Sequence, residues 1–556
     1  MIKDSKIEIH FPVVHQYWMD SGLLGFYYLA NKAQKNNPDI SFRADDSGVY
    51  LSGTKNKLEI FLNEVYQKLL DQYYNTSTPK QISENAGFYY NSKEDTFVRF
   101  PKVKTMGISN IIFSKAPRPT ESSISYKNKK THQFPDDYAH LQKRFDDFLE
   151  ENELKVDPNV ATFLIDGRNA YQPKVNISLE KTNSKGQCYL CNSSSNKLSE
   201  VSGTAFPLIT GSSGIKSFNS GCEKPFSICW MCDYIGKFVP VSGYYSMNEK
   251  NTYVFLVYSR SFQKLTEVMS LFEAAKKYDE NKLQNFEEKL GGYFQKSYEK
   301  FFSFMYTVYL TMCRHVDGDK ETELDYEKML DINISKAPLT YYIVHFQKLG
   351  KDSYVGKMVW NFTEAIYLFR LLSVIFERGI SLPEVMRILV DYDQKNDESK
   401  TIIRNRICGH ILKKQHIVSI TEPFLYHISR SKKQYVKPVF EFVEAYERIL
   451  YEGNTMKQEL IDVGVSLGKT IGLKVGEDKA KGRGELFRLR KARKPEDFLN
   501  EVNRIQMKYG VSVTSDLYNK GELFGENFAE FKQFCMIAAL NSYNAKSAEK
   551  EKKKGD

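Results

Sequence analysis

At 556 residues, 41% of them hydrophobic, the chain is too long for one core, and ordinary domain sizes imply three or four units. Its 79 lysines and arginines against 69 acids leave a formal charge of only +10, which excludes an overall basic field and confines any nucleic-acid contact to local patches. Eight cysteines in so long a chain fit a reducing compartment. No segment offers an uninterrupted apolar run of membrane-spanning length, and charges stand where a signal peptide needs apolar residues, so the sequence reads as cytoplasmic with no membrane partner.

From Ile7 to about Tyr74 the pattern mixes short strands with helices. Gly22 to Ala30 reads as a helix opening and Gly48 to Ser52 as a strand. Lys57 to Tyr74 reads as an amphipathic helix with Leu58, Phe61, Leu62, Val65 and Leu69 on one face. Between Pro101 and Pro135 the character changes: Lys102, Lys104, Lys115, Arg118, Lys127, Lys129 and Lys130 face the single acid Glu121, with little apolar periodicity. Such a stretch is either a solvated loop or a mobile basic arm that neutralises phosphates. A helix from about Asp137 to Glu153 follows.

The strongest local signal is Cys188-Tyr-Leu-Cys191 with Cys229-Trp-Met-Cys232, two C-x-x-C pairs 37 residues apart. Each pair bends the backbone so that both sulfurs face one metal, and two such knuckles complete a closed tetrahedral Zn²⁺ site, which is structural and not catalytic. Gly186 and Asn192 flank the first pair, and Thr210 to Gly214 supplies a Ser/Gly-rich excursion between the knuckles. Cys222 lies close enough to the second pair to replace a ligand. A redox dithiol needs only one C-x-x-C, and disulfides need an oxidising compartment, so neither explains two pairs together. Cys313, Cys408 and Cys535 read as buried thiols.

After the strand-like Tyr253 to Tyr258 the composition turns helical almost to the end. Helical spacing runs through Phe262 to Tyr278, Lys282 to Gly291, Tyr293 to His315, Asn361 to Arg378, Ser381 to Asp393 and Val439 to Leu450. Arg404 to Lys414 reads as a basic helix face, since no carboxylate or second histidine stands at a spacing that would make Asn405 or His410 catalytic. The last hundred or so residues read as an antiparallel bundle: a helix from about Met456 to Ile471 broken by Gly472 and Gly476, and helices near Glu496 to Tyr509 and Glu522 to Asn544. Within it, Lys479 to Lys494 carries eight cations and one acid, four of the cations being arginines, a composition suited to phosphate contact. Lys481, Arg483, Arg488, Arg490, Lys491, Arg493 and Lys494 are its candidate nucleic-acid ligands. Glu452-Gly453 must be encoded by purine-rich codons, spaced by Asn454 and Thr455 from Met456 as a ribosome-binding site is spaced from a start codon.

The fold class expected is α+β: a mixed N-terminal domain over 1–180 with the basic loop 101–135, a four-cysteine zinc insert with return strands over 181–260, a helical domain over 261–455 and a helical bundle over 456–556. This ordering resembles the large subunit of type I-B CRISPR Cascade, in its CXXC-CXXC branch. The resemblance covers most of the chain as an order of regions, and only Cys188, Cys191, Cys229 and Cys232 are motif-specific. It implies a non-catalytic antiviral-defence subunit of a ribonucleoprotein complex. Such a subunit sits near one end of the guide RNA, recognises the protospacer-adjacent motif on double-stranded DNA and helps open the duplex. It also stabilises the guide-target hybrid with other Cascade subunits and presents the target to a separate helicase-nuclease. The resemblance further implies a small subunit translated internally, here from Met456. Base pairing then supplies specificity while the protein neutralises backbone, which needs clustered cations and not a strong net charge. Two other classes stay open: a zinc-ribbon scaffold binding RNA or protein outside CRISPR defence, and a nuclease. The nuclease would need an open metal position or a carboxylate cluster with a histidine, and neither Asp45-Asp46 nor Asp136-Asp137 has such company in the sequence.

Overall fold

The computed structural model describes residues 6–69, 72–73, 86–101, 122–156, 158, 160–165, 186–195, 198–199, 201, 206–207, 227–273, 276–277, 283–291, 294–313, 316–317, 320–321, 338–349, 353–432, 436–478, 481–513, 517 and 525–555. The fold is α+β, and the chain divides into two compact units: Met1–Glu287 with Glu327–Thr363, and Glu288–Tyr326 with Glu364–Asp556.

In the first unit a three-stranded antiparallel sheet, order β1-β3-β2, is made by β1 (Ile7–Pro12), β2 (Ser41–Asp45) and β3 (Gly48–Gly53). Alternation along β1 and β3 buries Ile9, Phe11, Val49 and Leu51. Helix α1 (Tyr17–Gln34) and helix α2 (Lys55–Leu69) close the core, and all five apolar positions read on α2 are fully buried. Gln16 starts α1 by accepting the Trp18 and Met19 amides at 2.9 Å.

A second core lies beneath the sheet β5-β4-β7-β6, made by β4 (Ala86–Asn91), β5 (Thr96–Pro101), β6 (Ser122–Ser125) and β7 (Thr162–Ile165). Strands β4 and β7 pair in parallel and the other pairs are antiparallel. Phe134, Phe145 and Phe163 fill that core, with Phe145 delivered by α3 (Gln142–Glu151).

The third sheet is antiparallel and four-stranded: β8 (Tyr244–Met247), β9 (Asn251–Tyr258), β10 (Thr340–Leu349) and β11 (Ser353–Phe362), in that order. Helix α4 (Trp230–Gly236) precedes β8, and α5 (Phe262–Glu273) follows β9. The range 261–455 is therefore not helical throughout. Strand β10 repeats Tyr, Ile/Val and Phe along its length, the side chains that suit a pleated surface, and residues expected to begin a helix at Asn361 instead end β11. No helix forms among the described residues of 282–291 either.

The second unit is helical at its core. It comprises α6 (Ser297–Cys313), α7 (Ala365–Glu377), α8 (Leu382–Ile388), α9 (Ile402–Leu412), α10 (Val418–Lys432) and α11 (Lys437–Leu450). Then come α12 (Thr455–Val475), α13 (Gly482–Lys491), α14 (Pro495–Tyr509) and α15 (Phe528–Gly555). Helix α12 begins at the Asn454 cap, and runs through Gly472 instead of breaking there.

The reason is a glycine seam. A Cβ added at Gly464, Gly468 or Gly472 would stand 3.1, 2.2 and 2.2 Å from the carbonyl oxygens of Phe531, Cys535 and Ala539. Both series advance by four, so α12 and α15 lie backbone to backbone and run in the same direction. The expected antiparallel arrangement thus fails for this pair, whereas α13 and α14 do run antiparallel, Glu485 of one meeting Arg504 and Lys508 of the other and Tyr509 ending beside Asp478.

Candidate functional site

The first knuckle is a hairpin. Gly186–Gln187 pairs with Ser194–Ser195, the Cys188 amide donates to Ser193 O at 2.9 Å, and the Asn192 amide donates to Cys188 O at 2.9 Å. Asn192 sits at φ 57°, a left-handed conformation that asparagine tolerates better than most side chains. The second knuckle follows the strand residues Ile228–Cys229, which pair with Leu198–Ser199, and its last cysteine lies in the first turn of α4. The Tyr189 amide donates to Ser227 O at 2.9 Å and joins the two halves.

These backbones bring Cys188, Cys191, Cys229 and Cys232 together, with all four sulfurs within 4.8 Å of one another. Cys188 Sγ to Cys232 Sγ and Cys191 Sγ to Cys229 Sγ are both 3.7 Å. A tetrahedron with metal–sulfur bonds of ~2.3 Å has edges of ~3.8 Å, whereas a disulfide requires ~2.05 Å. The four thiols are free, three are buried and Cys191 is half-buried.

Hydrogen bonds from the neighbouring thiols draw Cys188 far below an ordinary thiol, and the bond to Cys188 pushes Cys229 and Cys232 well above one. A divalent cation would neutralise four thiolates placed this close together, and donor set, spacing and burial are all compatible with zinc.

The cluster is not carried by a free-standing insert. Helix α4 packs into the first core: Tyr234 OH donates to Leu62 O at 2.9 Å, and Phe11 stands edge-on to Trp230 at 5.7 Å. Gly22 and Gly25 of α1 admit the chain after the second knuckle, since a Cβ there would lie 2.4 Å from Ile235 O and 2.2 Å from Phe238 O. Cys222 and the side chain of Cys313 lie outside what the structure describes, and Cys408 and Cys535 are buried thiols as expected.

Of the first basic stretch, Lys102, Lys104, Lys115 and Arg118 lie outside the described residues. Lys127 pairs with Asp136 at 2.5 Å, and Lys129 and Lys130 are exposed beside the Asn128–Gln133 bridge. The second stretch forms α13, whose inward face is Gly482, Glu485, Leu486 and Leu489. Lys481, Arg483, Arg488 and Lys491 are exposed, and Arg493 and Lys494 continue the exposed cations into the turn before α14.

The single acid of the run is withdrawn from that face. Glu485 is 5% exposed and pairs with Arg504 and Lys508, and the Arg504 hydrogen bond holds its carboxyl down to about 2. Arg490 is withdrawn too: its guanidinium pairs with the buried Glu422 at 2.5 Å and lies over the Tyr426 ring at 4.9 Å. Arg490 anchors α13 to α10, and the remaining described cations of the run are exposed.

Arg404 to Lys414 presents Arg406, Lys413 and Lys414 at the surface, as expected of a basic helix face, but Arg404 is not part of that face. Arg404 is 2% exposed and pairs with the fully buried Glu299 at 2.7 Å, while Asn405 Oδ1 accepts the Tyr298 amide at the start of α6. Lys413 lies over the Tyr298 ring and Lys414 pairs with Glu364. Sequence spacing missed these partners because each lies at least 50 residues away. It also missed Asp391, Asp393 and His427, whose ligand atoms lie within 4.8 Å of one another. That group is largely exposed, and Asp391 is already engaged by the Asp393 amide and Gln394.

No protein-family model matches the chain, and no curated protein matches it. Among the described residues, no helix is long and apolar enough to cross a membrane.

Proposed function

We propose that the chain is a nucleic-acid-binding subunit whose first core is tied together by a structural zinc ion at Cys188, Cys191, Cys229 and Cys232, and which acts as the large subunit of a type I-B CRISPR RNA-guided DNA surveillance complex. The observation that carries the nucleic-acid reading is the run 481–494, formed by α13 and the residues flanking it, where Lys481, Arg483, Arg488, Lys491, Arg493 and Lys494 are exposed while Glu485 is turned inward. A run arranged only to be solvated has no need to turn the one carboxylate within it inward. A face that follows a phosphate backbone gains by doing so.

The four cysteines supply the second support. When bound, zinc neutralises the thiolates and ties the first knuckle to the second, which α4 carries against α1, leaving no position for a substrate. The basic stretch 101–135 serves as the second backbone contact in this reading. The resemblance in the order of regions adds protospacer-adjacent motif recognition, opening of the duplex, hybrid stabilisation and helicase-nuclease recruitment. Residues from Met456 onward then correspond to the internally translated small subunit, beginning one residue into α12.

Copurification tests the assignment. The chain is expressed with its neighbouring genes, isolated through an N-terminal tag, and the accompanying RNA is sequenced. RNAs of uniform length with a constant end and a variable interior are the expected result. Heterogeneous RNA, or none, favours a zinc-ribbon scaffold outside CRISPR defence. For the face itself, replacing Arg483, Arg488 and Arg493 with glutamine should weaken DNA binding across sequences and flatten the slope of log K against log salt by roughly 2–3 units, at ~0.9 for each phosphate no longer neutralised. An unchanged slope would remove α13 from the interface.

A further inference from the structure

The helical unit holds a cavity of about 560 Å³, formed beside α8 and the start of α9. Its volume falls within the ~300–1,000 Å³ of small-molecule sites. Leu290, Met386 and Val390 give it a buried apolar wall. Tyr392, 49% exposed, contributes an aromatic ring at its margin. Around that wall stand Arg387, Lys400 and Arg404, with Glu384 the single acid of the lining.

The cations differ in what they can do. Arg404 is neutralised by Glu299 at 2.7 Å and held by Met386 O at 3.2 Å, so it stiffens the wall and offers little net charge. Arg387 meets Glu384 at 3.7 Å with most of its side chain in water, and Lys400 meets the exposed Asp397 at 2.7 Å. Ion pairs this open to solvent contribute little, so an incoming phosphate displaces them at little cost. A purely apolar ligand would leave these cations unused. A bare polyphosphate would leave the apolar wall and the ring uncovered.

We propose that this cavity binds one nucleotide unit, its base on the Met386 and Val390 wall against Tyr392 and its phosphate at Arg387 and Lys400. The proposal rests on the nucleic-acid reading above and deepens it by adding a pocket that takes a single base out of a strand or a free mononucleotide. Base and phosphate are common to both sources, and the cavity is distinct from the face of α13.

The test uses the full chain with its metal and titrates deoxyadenosine monophosphate, deoxyadenosine and inorganic phosphate by calorimetry. The monophosphate should saturate, and more tightly than either of the other two. Tyr392→Ala should weaken it about tenfold, as expected for losing an aromatic ring beneath a base, and Arg387→Glu should weaken it as well. Both positions are exposed, so melting temperature serves as the check on folding. A single strand carrying one 2-aminopurine separates the sources. Quenching that disappears in Tyr392→Ala identifies the strand as the source, and saturation by the monophosphate without such quenching identifies the free nucleotide. Absence of saturation by the monophosphate, or equal affinity in wild type and both variants, overturns the pocket. If that occurs while the α13 variants still flatten the salt dependence of DNA binding, the cavity alone is wrong and the nucleic-acid reading stands.

Discussion

The cysteine cluster and helix α13 are both dense groupings of one chemical type, and they are built in opposite senses. At the cluster, four sulfurs point at each other, three of them buried, with spacings of 3.7 Å that leave room for one ion. On α13 the like groups diverge into solvent, and the two members that would disturb the pattern, Glu485 and Arg490, are held by partners on other helices. The difference teaches that charge or ligand density in a sequence has no fixed meaning. Convergence makes a structural site, and divergence makes a surface that another molecule must neutralise.

Five measurements sharpen or break that contrast. The largest effect should come from Cys188→Ser with Cys191→Ser. Structural zinc sites contribute on the order of 10 kcal/mol of folding free energy. Metal content should therefore fall to zero and the cooperative melting of the first unit should be lost. Unchanged zinc and an unchanged melt would mean the sulfurs converge for another reason.

Next is a pair of arginines. Arg404→Met leaves Glu299 buried without its partner and should cost ~3–5 kcal/mol in denaturant unfolding, whereas Arg488→Ala should stay within ~0.5 kcal/mol. Equal costs would erase the distinction between inward and outward cations. Third, Gly468→Ala drives a methyl against Cys535 O and should cost ~1–3 kcal/mol by overpacking, read as a lower denaturant midpoint.

The smallest effects are those of pH. The Arg504 hydrogen bond lowers the Glu485 carboxyl from 4.5 to about 2, so its contribution is complete above pH 4.5 and disappears as pH falls from there to about 2. Glu485→Gln should be less stable than wild type at neutral pH, and the two melting curves should converge in acid. His416 works in the other direction. The Glu447 hydrogen bond raises it above 6.5, so its contribution is complete below pH 6.5 and fades as pH climbs through the raised value. His416→Gln should therefore lose more stability at pH 6 than at pH 9, by comparison of melting temperatures.

How much of this was legible in the sequence depends on the distance between the groups that matter. Each C-x-x-C is a local turn, so the sulfur geometry was readable, and so was the buried face of α2, whose period is set within one helix. The burial of Arg404 was not readable, because Glu299 lies 105 residues away, nor was that of Arg490, whose partner Glu422 lies 68 residues away. Gly472 resembled a helix stop because a glycine in isolation weakens a helix, yet here its lack of a side chain is what lets α15 approach. Strands β10 and β11 were hidden between helical segments, and the pairing of β10 with β9 spans a long excursion of the chain.

That last pairing bears on how the molecule can be divided. The chain leaves the first unit after Glu287, re-enters it at Glu327 and leaves again after Thr363. Strand β9 meets β10 along eight residue pairs, from Asn251–Gln347 to Tyr258–Thr340. A fragment ending at residue 287 would keep β9 with β8 on one side and lose β10 on the other, leaving the backbone of the apolar stretch Val254 to Leu256 as an open sheet edge that invites self-association. The two units are thus separate as packed bodies and inseparable as gene segments. Anyone dissecting them needs two fragments rejoined by a linker across the 288–326 excursion, since no single truncation yields either one whole.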